Sequence, residues 1–279
     1  MPDLIIRAMQ PDELKIAIEW ARDEGWNPGI EDAALFYQAD PEGFFVAELA
    51  GEIVAVGSAV RYDAQFAFCG LYIVAPQHRG KGYGLALTKH RLAHCGTRNI
   101  GIDGVLGNVE IYKRVGYRPY YQNKRFQKRA TAQTFSSNTH EIKQSHIAEI
   151  IDYDRQCFPA QRDTFLKGWL QQAQGKSVSV IENGQVRGYA VRRQCAEGHK
   201  VGPLFADSKE VAAQLFSALQ QDIAGEVIIL DVPENNPLAV ELALNENMEV
   251  VFATSRMYQR GLPDIAHHKV FGITTFELG

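Results

Sequence analysis

In the first half of the chain, segments with the apolar pattern of strands alternate with segments that have the apolar pattern of amphipathic helices. Short apolar runs bounded by turn residues predict strands at residues 4–9, 43–49, 53–62, 66–74, 101–106 and 117–127. Longer amphipathic runs predict helices at residues 11–21, 31–38, 81–94 and 108–115. The glycine-containing connection at residues 50–52 favours a hairpin. This order of elements predicts an α/β fold with a mixed, mostly antiparallel sheet flanked by helices.

The second half of the chain repeats this order in outline. It follows a small, polar segment at residues 129–139, which is typical of a linker or an edge strand. Helices are predicted at residues 145–157, 162–172, 208–223 and 237–246, and strands at 177–182, 185–193, 226–232, 248–257 and 271–278. Asn183-Gly184 is a strong hairpin signal. We therefore expect two domains, residues 1–130 and 131–279, with the last strand docked.

Composition and charge limit the classes of molecule that we expect the chain to bind. The chain has 279 residues, of which 46% are hydrophobic and 22% charged, enough to bury a core in each of two domains. A net charge of -4 argues against a protein built for nucleic acid. Residues 76–130 nevertheless hold twelve Lys and Arg against two acids. That local excess suits a polyanionic small molecule, with a solvated surface as the alternative.

The cysteines and the apolar stretches give no sign of export or metal binding. None of the four cysteines lies in a CxxC pair, so their spacing suggests neither a disulfide framework nor a zinc site. The first residues lack a basic segment followed by an apolar run, and no apolar stretch has the length of a membrane span. We expect a cytoplasmic protein without a metal cofactor or a membrane partner.

The loop at residues 77–84, between a predicted strand and a predicted helix, is the strongest candidate for chemistry. A helix N-terminus offers unpaired N–H groups, and Gly80, Gly82 and Gly84 let phosphate oxygens approach the backbone. Arg79 and Lys81 add positive charge, unless they are plain surface residues. A dinucleotide fingerprint fits poorly because the third glycine comes one residue early, and a Walker loop is absent.

This stretch resembles the strand, loop and helix of the GCN5-related N-acetyltransferases, the GNAT family. Their signature [Q/R]-x-x-G-x-[G/A] is matched by Gln77, Gly80 and Gly82. A second family marker, a tyrosine four residues before a Gly-aromatic pair, is matched by Tyr112 ahead of Gly116-Tyr117. Asn108 also stands at a common family position, and the resemblance implies that it belongs to the cofactor-binding residues. The resemblance covers roughly residues 4–128 in the expected order.

The resemblance implies that the chain binds acetyl-coenzyme A. Backbone groups of Tyr72, Ile73 and Val74 would hold the pantetheine arm as an added strand would be held, beside a gap that opens toward the 101–106 strand. The pyrophosphate would lie on the amides of a loop made of Arg79, Gly80, Lys81, Gly82, Tyr83 and Gly84.

The resemblance also implies direct attack of an amine on the acetyl carbonyl. The Val74 N–H or a neighbour would stabilise the oxyanion, and Tyr112 would protonate the departing thiolate. From the residues alone, Tyr112 could instead be a packing aromatic, and Asn108 could be only a helix cap.

The general base stays unassigned. Candidates are His78, Asp103, Glu110, Asp63, and a water chain to a more distant carboxylate. Covalent catalysis through a cysteine is disfavoured, because neither Cys69 nor Cys95 has an evident Cys/His setting.

The second half lacks a comparable loop. The predicted turn at residues 201–207 has one glycine and no Lys or Arg before Lys209, while Asp207 and Ser208 look like helix caps. A carboxylate there would repel phosphate, so we expect one coenzyme A per chain.

Segments 202–207, 230–236 and 271–279 resemble the degenerate C-terminal domain of a GNAT subgroup, which helps to shape the acceptor site. Asp231, Glu234 and Asp207 then become candidate anchors for a cationic amine, unless they only form turns and caps.

The function that we expect is acetyl-CoA-dependent N-acetylation of a small-molecule amine, such as an amino sugar, a polyamine, an amino acid or an antibiotic. The alternatives are a non-catalytic acyl-CoA sensor and a protein acetyltransferase acting on lysine or an N-terminus. Tyr112 favours an enzyme over a sensor. A second half that covers the acceptor cleft favours a small acceptor. Homodimer formation is left open.

Overall fold

The structure, a computed structural model, describes residues 3–132 and 138–279. The first two residues and five residues of the predicted linker, 133–137, lie outside this description. The helices are α1 Leu14–Asp23, α2 Asp32–Ala39, α3 Tyr83–Cys95, α4 Val109–Arg114, α5 Ile147–Asp154, α6 Asp163–Leu170, α7 Lys209–Ala218 and α8 Pro237–Asn245. The strands are β1 Leu4–Ala8, β2 Phe44–Leu49, β3 Glu52–Ser58, β4 Val60–Arg61, β5 Phe66–Phe68, β6 Ile73–Val74, β7 Asn99–Val105, β8 Arg118–Arg129, β9 Thr139–Glu141, β10 Gly175–Glu182, β11 Gln185–Gln194, β12 His199–Ala206, β13 Val227–Pro233, β14 Glu249–Tyr258 and β15 Val270–Gly272.

Both predicted hairpins are present, and both turns depend on left-handed residues. Ala50 and Gly51 have φ angles of 52° and 85° between β2 and β3. Asn183 and Gly184 have φ angles of 52° and 72° between β10 and β11. Two successive positive φ angles match the right-handed twist of the flanking strands, which is why Asn-Gly marked the second turn in the sequence.

The strands form two sheets, and the mixed α/β class is confirmed. A four-stranded sheet has the order β1-β2-β3-β6, and the larger sheet has the order β4-β5-β7-β14-β8-β13-β12-β11-β10-β9, with β15 paired to β12. Most neighbours are antiparallel. The pairs β5–β7 and β12–β13 are parallel.

The two halves of the chain exchange strands in the larger sheet. Strand β14 of the second half lies between β7 and β8 of the first half, with Arg256 opposite Asp103 on one side and opposite Tyr121 on the other. Strand β8 in turn pairs with β13, with Phe126 opposite Leu230. Each half therefore completes its sheet with a strand of the other.

A shared core joins the halves below the sheets. The Phe36 ring of α2 stacks on the Trp169 ring of α6 with centroids 6.2 Å apart. Both side chains are fully buried in one cluster with Tyr189 and Leu278. Burial of several large aromatic side chains across the junction holds the halves in one arrangement.

Four sequence predictions of elements need correction. Residues 53–62 form β3 and β4, which belong to different sheets. Residues 66–74 form two strands, because the chain breaks at Gly70-Leu71, where Leu71 has a φ of 45°. The predicted turn at 201–207 is mostly strand β12. Of the predicted last strand, only Val270–Gly272 pairs, with β12. Residues 273–279 are buried without strand pairing, so their apolar character reflects burial alone.

Among the described residues, no helix combines the length and the apolar character that a membrane crossing requires.

Candidate functional site

A gap opens beside β6 because the chain changes its pairing partner at Gly70. Strand β5 pairs with β7, whereas β6 pairs with β3 through Val56 opposite Ile73 and Ala55 opposite Val74. Hydrogen bonds of an antiparallel ladder alternate from side to side, so the backbone groups of Tyr72 and Val74 face away from β3. They face the space beside β6 that β7 does not occupy. An extended amide ligand can pair with such an edge.

The loop that follows β6 has the conformation of an anion site. Gly80 and Gly82 have φ angles of 75° and 87°, which favour glycine. A Cβ added at either residue would meet no atom within 4 Å, so both lie on the open side of the loop. Helix α3 begins directly after Gly82, and the N–H groups of its first turn point to the same side.

Gly84 is needed for a different reason than the sequence suggested. A Cβ at this position would lie 2.1 Å from the Tyr72 hydroxyl oxygen and 2.9 Å from Cγ2 of Val74. Its lack of a side chain lets α3 pack closely on β6, which holds the helix N-terminus beside the gap.

Loop and gap meet in a cavity of about 200 Å³. Most of the predicted cofactor residues line it, together with two further ones: Tyr72, Val74, His78, Arg79, Gly80, Gly82, Tyr83, Gly84 and Leu85. Three predicted residues do not line the cavity: Ile73, Lys81 and Asn108. The Ile73 side chain is buried in the core, and Lys81 is exposed.

Arg79 is held in place by protein groups. Its Nε donates to the Val74 carbonyl at 2.9 Å, and its other end forms an ion pair with Glu24. The guanidinium is half exposed, so the ion pair with Glu24 can be exchanged for a pair with a phosphate at small cost.

Tyr112 lies on α4 and is not among the residues that line this cavity. Its ring packs flat on β7, because a Cβ added at Gly104 would be 2.6 Å from Cε2 of Tyr112. Burial raises the pKa of the Tyr112 phenol, and the Asn108 side chain opposes that rise in pKa. Asn108 precedes α4 but makes no capping hydrogen bond. A phenol that stays protonated at neutral pH can serve as a proton donor.

Sequence reasoning missed Arg91, which fixes the break in the strand. Its Nε donates to the Ser58 carbonyl at 2.7 Å and its NH2 group to the Gly70 carbonyl at 3.1 Å. The guanidinium also lies 5.3 Å from the centre of the Tyr72 ring. A signal existed, since Gly84, Leu87, Arg91 and Cys95 form the buried face of α3 at helical spacing.

Most of the candidate bases already have hydrogen-bond or ion-pair partners. Asp103 is bound by Arg256 at 2.7 Å and by Asn123 at 2.6 Å. Glu110 is exposed and pairs with Lys113 at 2.6 Å. Asp63 accepts two backbone N–H groups in a turn.

His78 lines the cavity beside the loop. Its Nε2 lies 3.5 Å from Glu52, and its buried Nδ1 makes no hydrogen bond to the described residues.

Cys69 and Cys95 lie side by side in one core cluster of the first half. The Sγ atoms of Cys69 and Cys95 are 3.9 Å apart, and both residues are buried. In the described ranges, 3–132 and 138–279, no group of three or more His, Cys, Asp or Glu residues is placed to bind a metal ion.

The corresponding region of the second half is closed. Only Asp207 and Ser208 connect β12 to α7, and the predicted Ser208 cap is confirmed by its bond with the Val211 N–H. Asp207 accepts from the Tyr153 hydroxyl at 2.9 Å and pairs with Lys269 at 2.9 Å.

The two remaining candidate amine anchors already have cationic partners. Buried Asp231 pairs with Arg125 at 2.7 Å, and the more exposed Glu234 pairs with Lys124 at 3.2 Å. A cationic amine would have to compete with these side chains.

Comparison with known protein families matches both halves of the chain. Residues 13–117 match the Acetyltransferase (GNAT) family, and residues 150–272 match an Acetyltransferase (GNAT) domain. A relative from Pseudoalteromonas sp. (strain SANK 73390), named holothin acyltransferase, is 33% identical over 271 residues, covering 96% of this chain and 92% of the relative.

Solved structures share the whole arrangement. A putative acetyltransferase from Pyrococcus horikoshii has a TM-score of 0.84 at 22% identity, covering 99% of this chain and 96% of that one. A tandem GNAT protein from the clavulanic acid biosynthesis pathway has a TM-score of 0.63 at 13% identity, covering 92% and 98%. At these identities the likeness shows the fold alone.

Proposed function

The chain belongs to the GNAT acyltransferase family, and we propose that it transfers an acetyl group from acetyl-CoA to a primary amine of a small molecule. Attack would be direct, in a ternary complex. The proposal rests on one observation. The edge of β6 that faces away from β3 and the N-terminus of α3 together form one wall of the cavity. Backbone donors for an amide chain and for a pyrophosphate are thus placed in sequence along one surface.

The residues at the gap fit the donor molecule. Acetyl-CoA supplies an activated thioester when it is bound. The Val74 N–H faces the gap and is our candidate donor to the carbonyl oxygen of the thioester. The loop amides and Arg79 would hold the pyrophosphate, with Arg79 giving up Glu24. Lys81, exposed on the same loop, would add positive charge at the rim.

Tyr112 would protonate the leaving thiolate. Its ring is fixed on Gly104, and its raised pKa keeps the proton on the phenol at neutral pH. We assign Asn108 to the environment of that hydroxyl, since its side chain interacts with Tyr112 and leaves the helix uncapped.

The second half, residues 131–279, would shape the acceptor site without holding coenzyme A. Its two-residue β12–α7 connection supports this role, because it has no room for a phosphate loop. We place the reaction in the cytoplasm and assume no metal.

Two measurements test the proposal. Calorimetry should show acetyl-CoA binding; absence of binding overturns the proposal. A panel of amines, including holothin because of the relative's name, should then release free thiol from acetyl-CoA. Binding without turnover of any amine would support the sensor alternative, and acetylation of protein lysines alone would support the protein-modifying one.

A further inference from the structure

One buried acid differs from all the others in the described part of the chain. Five acidic residues are buried there: Asp32, Asp40, Asp154, Asp231 and Glu277. Each of the four aspartates forms an ion pair with an arginine. Glu277 forms none, and its buried Oε1 accepts no hydrogen bond from the described residues. An unpaired buried carboxylate costs stability, so its presence needs a reason.

The backbone of Glu277 lies at the point where the gap begins. A Cβ added at Gly70, the residue at which the strand leaves β7, would be 2.1 Å from the Glu277 carbonyl oxygen and 2.9 Å from its Cα. The position is fixed on both sides. The N–H groups of Glu277 and Leu278 donate to Thr275 Oγ1, and the Leu278 carbonyl accepts from the Tyr62 hydroxyl at 2.8 Å.

Three cations lie within electrostatic range of Glu277, on three strands of the larger sheet. They are Arg125 on β8, Arg193 on β11 and Lys200 on β12, each of which feels the charge of Glu277. Arg125 and Arg193 are already paired, with Asp231 and Asp32.

Lys200 donates to the Trp26 carbonyl at 2.8 Å and has no ion pair in residues 3–132 and 138–279.

We propose that Glu277 is the general base of the transfer, an assignment that rests on the proposed function. Its backbone is fixed against Gly70, where the gap opens, and its unpaired carboxylate takes a proton from the acceptor amine. The amine nitrogen forms a bond to the acyl carbon and the C–S bond breaks. The thiolate takes the proton of Tyr112, and the amine proton goes to the Glu277 carboxylate.

The test is Glu277→Gln, which keeps the shape and removes the basicity. With benzylamine, an ammonium ion at neutral pH, kcat/KM should fall at least about 100-fold. With aniline, which is neutral there, the loss should be only a few-fold. The Kd of acetyl-CoA by calorimetry should not change, which separates failure of this assignment from failure of the proposed function. Equal losses with both amines, or no loss, would overturn it.

A charge-balancing role makes a different prediction. If Glu277 only offsets Lys200, then Glu277→Gln combined with Lys200→Met removes both charges and should restore turnover of benzylamine. A base role predicts that the double variant stays as slow as Glu277→Gln. Glu249→Gln, the same change at an exposed strand position, is the matched control and should keep the wild-type rate. Thermal unfolding checks that all variants are folded.

Discussion

The two strand-to-helix connections of this chain occupy similar places but have different chemistry. Between β6 and α3, residues 75–82 form a loop with left-handed Gly80 and Gly82 and an open helix N-terminus. Between β12 and α7 there are two residues, and Ser208 already accepts the Val211 N–H while Asp207 adds negative charge. A repeated fold thus does not repeat the features on which the proposed anion site depends, namely loop length, glycine conformation and charge.

The largest effect is expected from Gly82→Val. Valine disfavours a φ of 87°, and its side chain would project into the open space above the loop. No protein atom lies within 4 Å of the added Cβ, so the loss should fall on the ligand. Acetyl-CoA binding measured by calorimetry should disappear.

Gly225→Val is the matched control for that variant. Gly225, in the second half, has a φ of 89° and equally open space around an added Cβ. It should cost similar backbone strain and leave the Kd unchanged. If both variants bind like the wild type, the first-half loop is not the site.

Asp231→Asn tests how firmly the halves are joined. It leaves Arg125 of β8 buried without its partner on β13, at a junction between exchanged strands. Removing one member of a buried ion pair costs about 3–5 kcal/mol, so the urea midpoint should shift strongly in one cooperative transition. Two separate transitions would show that the halves unfold independently.

Tyr112→Phe should lower kcat about 100-fold and leave the Kd of acetyl-CoA unchanged. Tyr112 acts in the protonated form, and burial raises its pKa, so activity depending on it is lost only above the ordinary tyrosine value of about 10. A pH–rate profile of the wild type should therefore show no fall due to Tyr112 below that pH. An unchanged kcat in the phenylalanine variant removes Tyr112 from the mechanism.

The last prediction is that the second half does not bind acetyl-CoA. Calorimetric titration should give one acetyl-CoA per chain, because the β12–α7 connection has neither the length nor the charge for a second site. A stoichiometry of two would contradict the difference between the halves.

Local features of this fold could be predicted from the sequence because their causes are local. Asn183-Gly184 specifies its own turn, and the 77–84 loop is recognisable because glycines at fixed spacing precede a helix. The pairing of β7 with β14 could not be predicted in this way. The apolar pattern of β14 says that it is buried in a sheet, and nothing in it specifies its neighbours.

The same difference between local and distant causes applies to the residues of the candidate site. The proposal for Tyr112 followed from a motif, whereas the contacts of Arg91 and Glu277 involve residues distant in sequence. Glu277 lies in an apolar run that predicted a strand, and only its three-dimensional surroundings reveal a carboxylate without an ion pair in the described part of the chain. Residues 201–207 show the reverse error, since the segment predicted as a turn lies mostly in strand β12.

The exchange of β8 and β14 has a consequence for synthesis. Asp103 on β7 and its partner Arg256 on β14 are 153 positions apart, so the first half leaves the ribosome with β7 and β8 lacking their common neighbour. Contacts of such long range form slowly, and the waiting strand edges are sites for wrong pairing. We expect the nascent first half to depend on chaperones until the last strands emerge, and the full-length chain to be the smallest unit that folds.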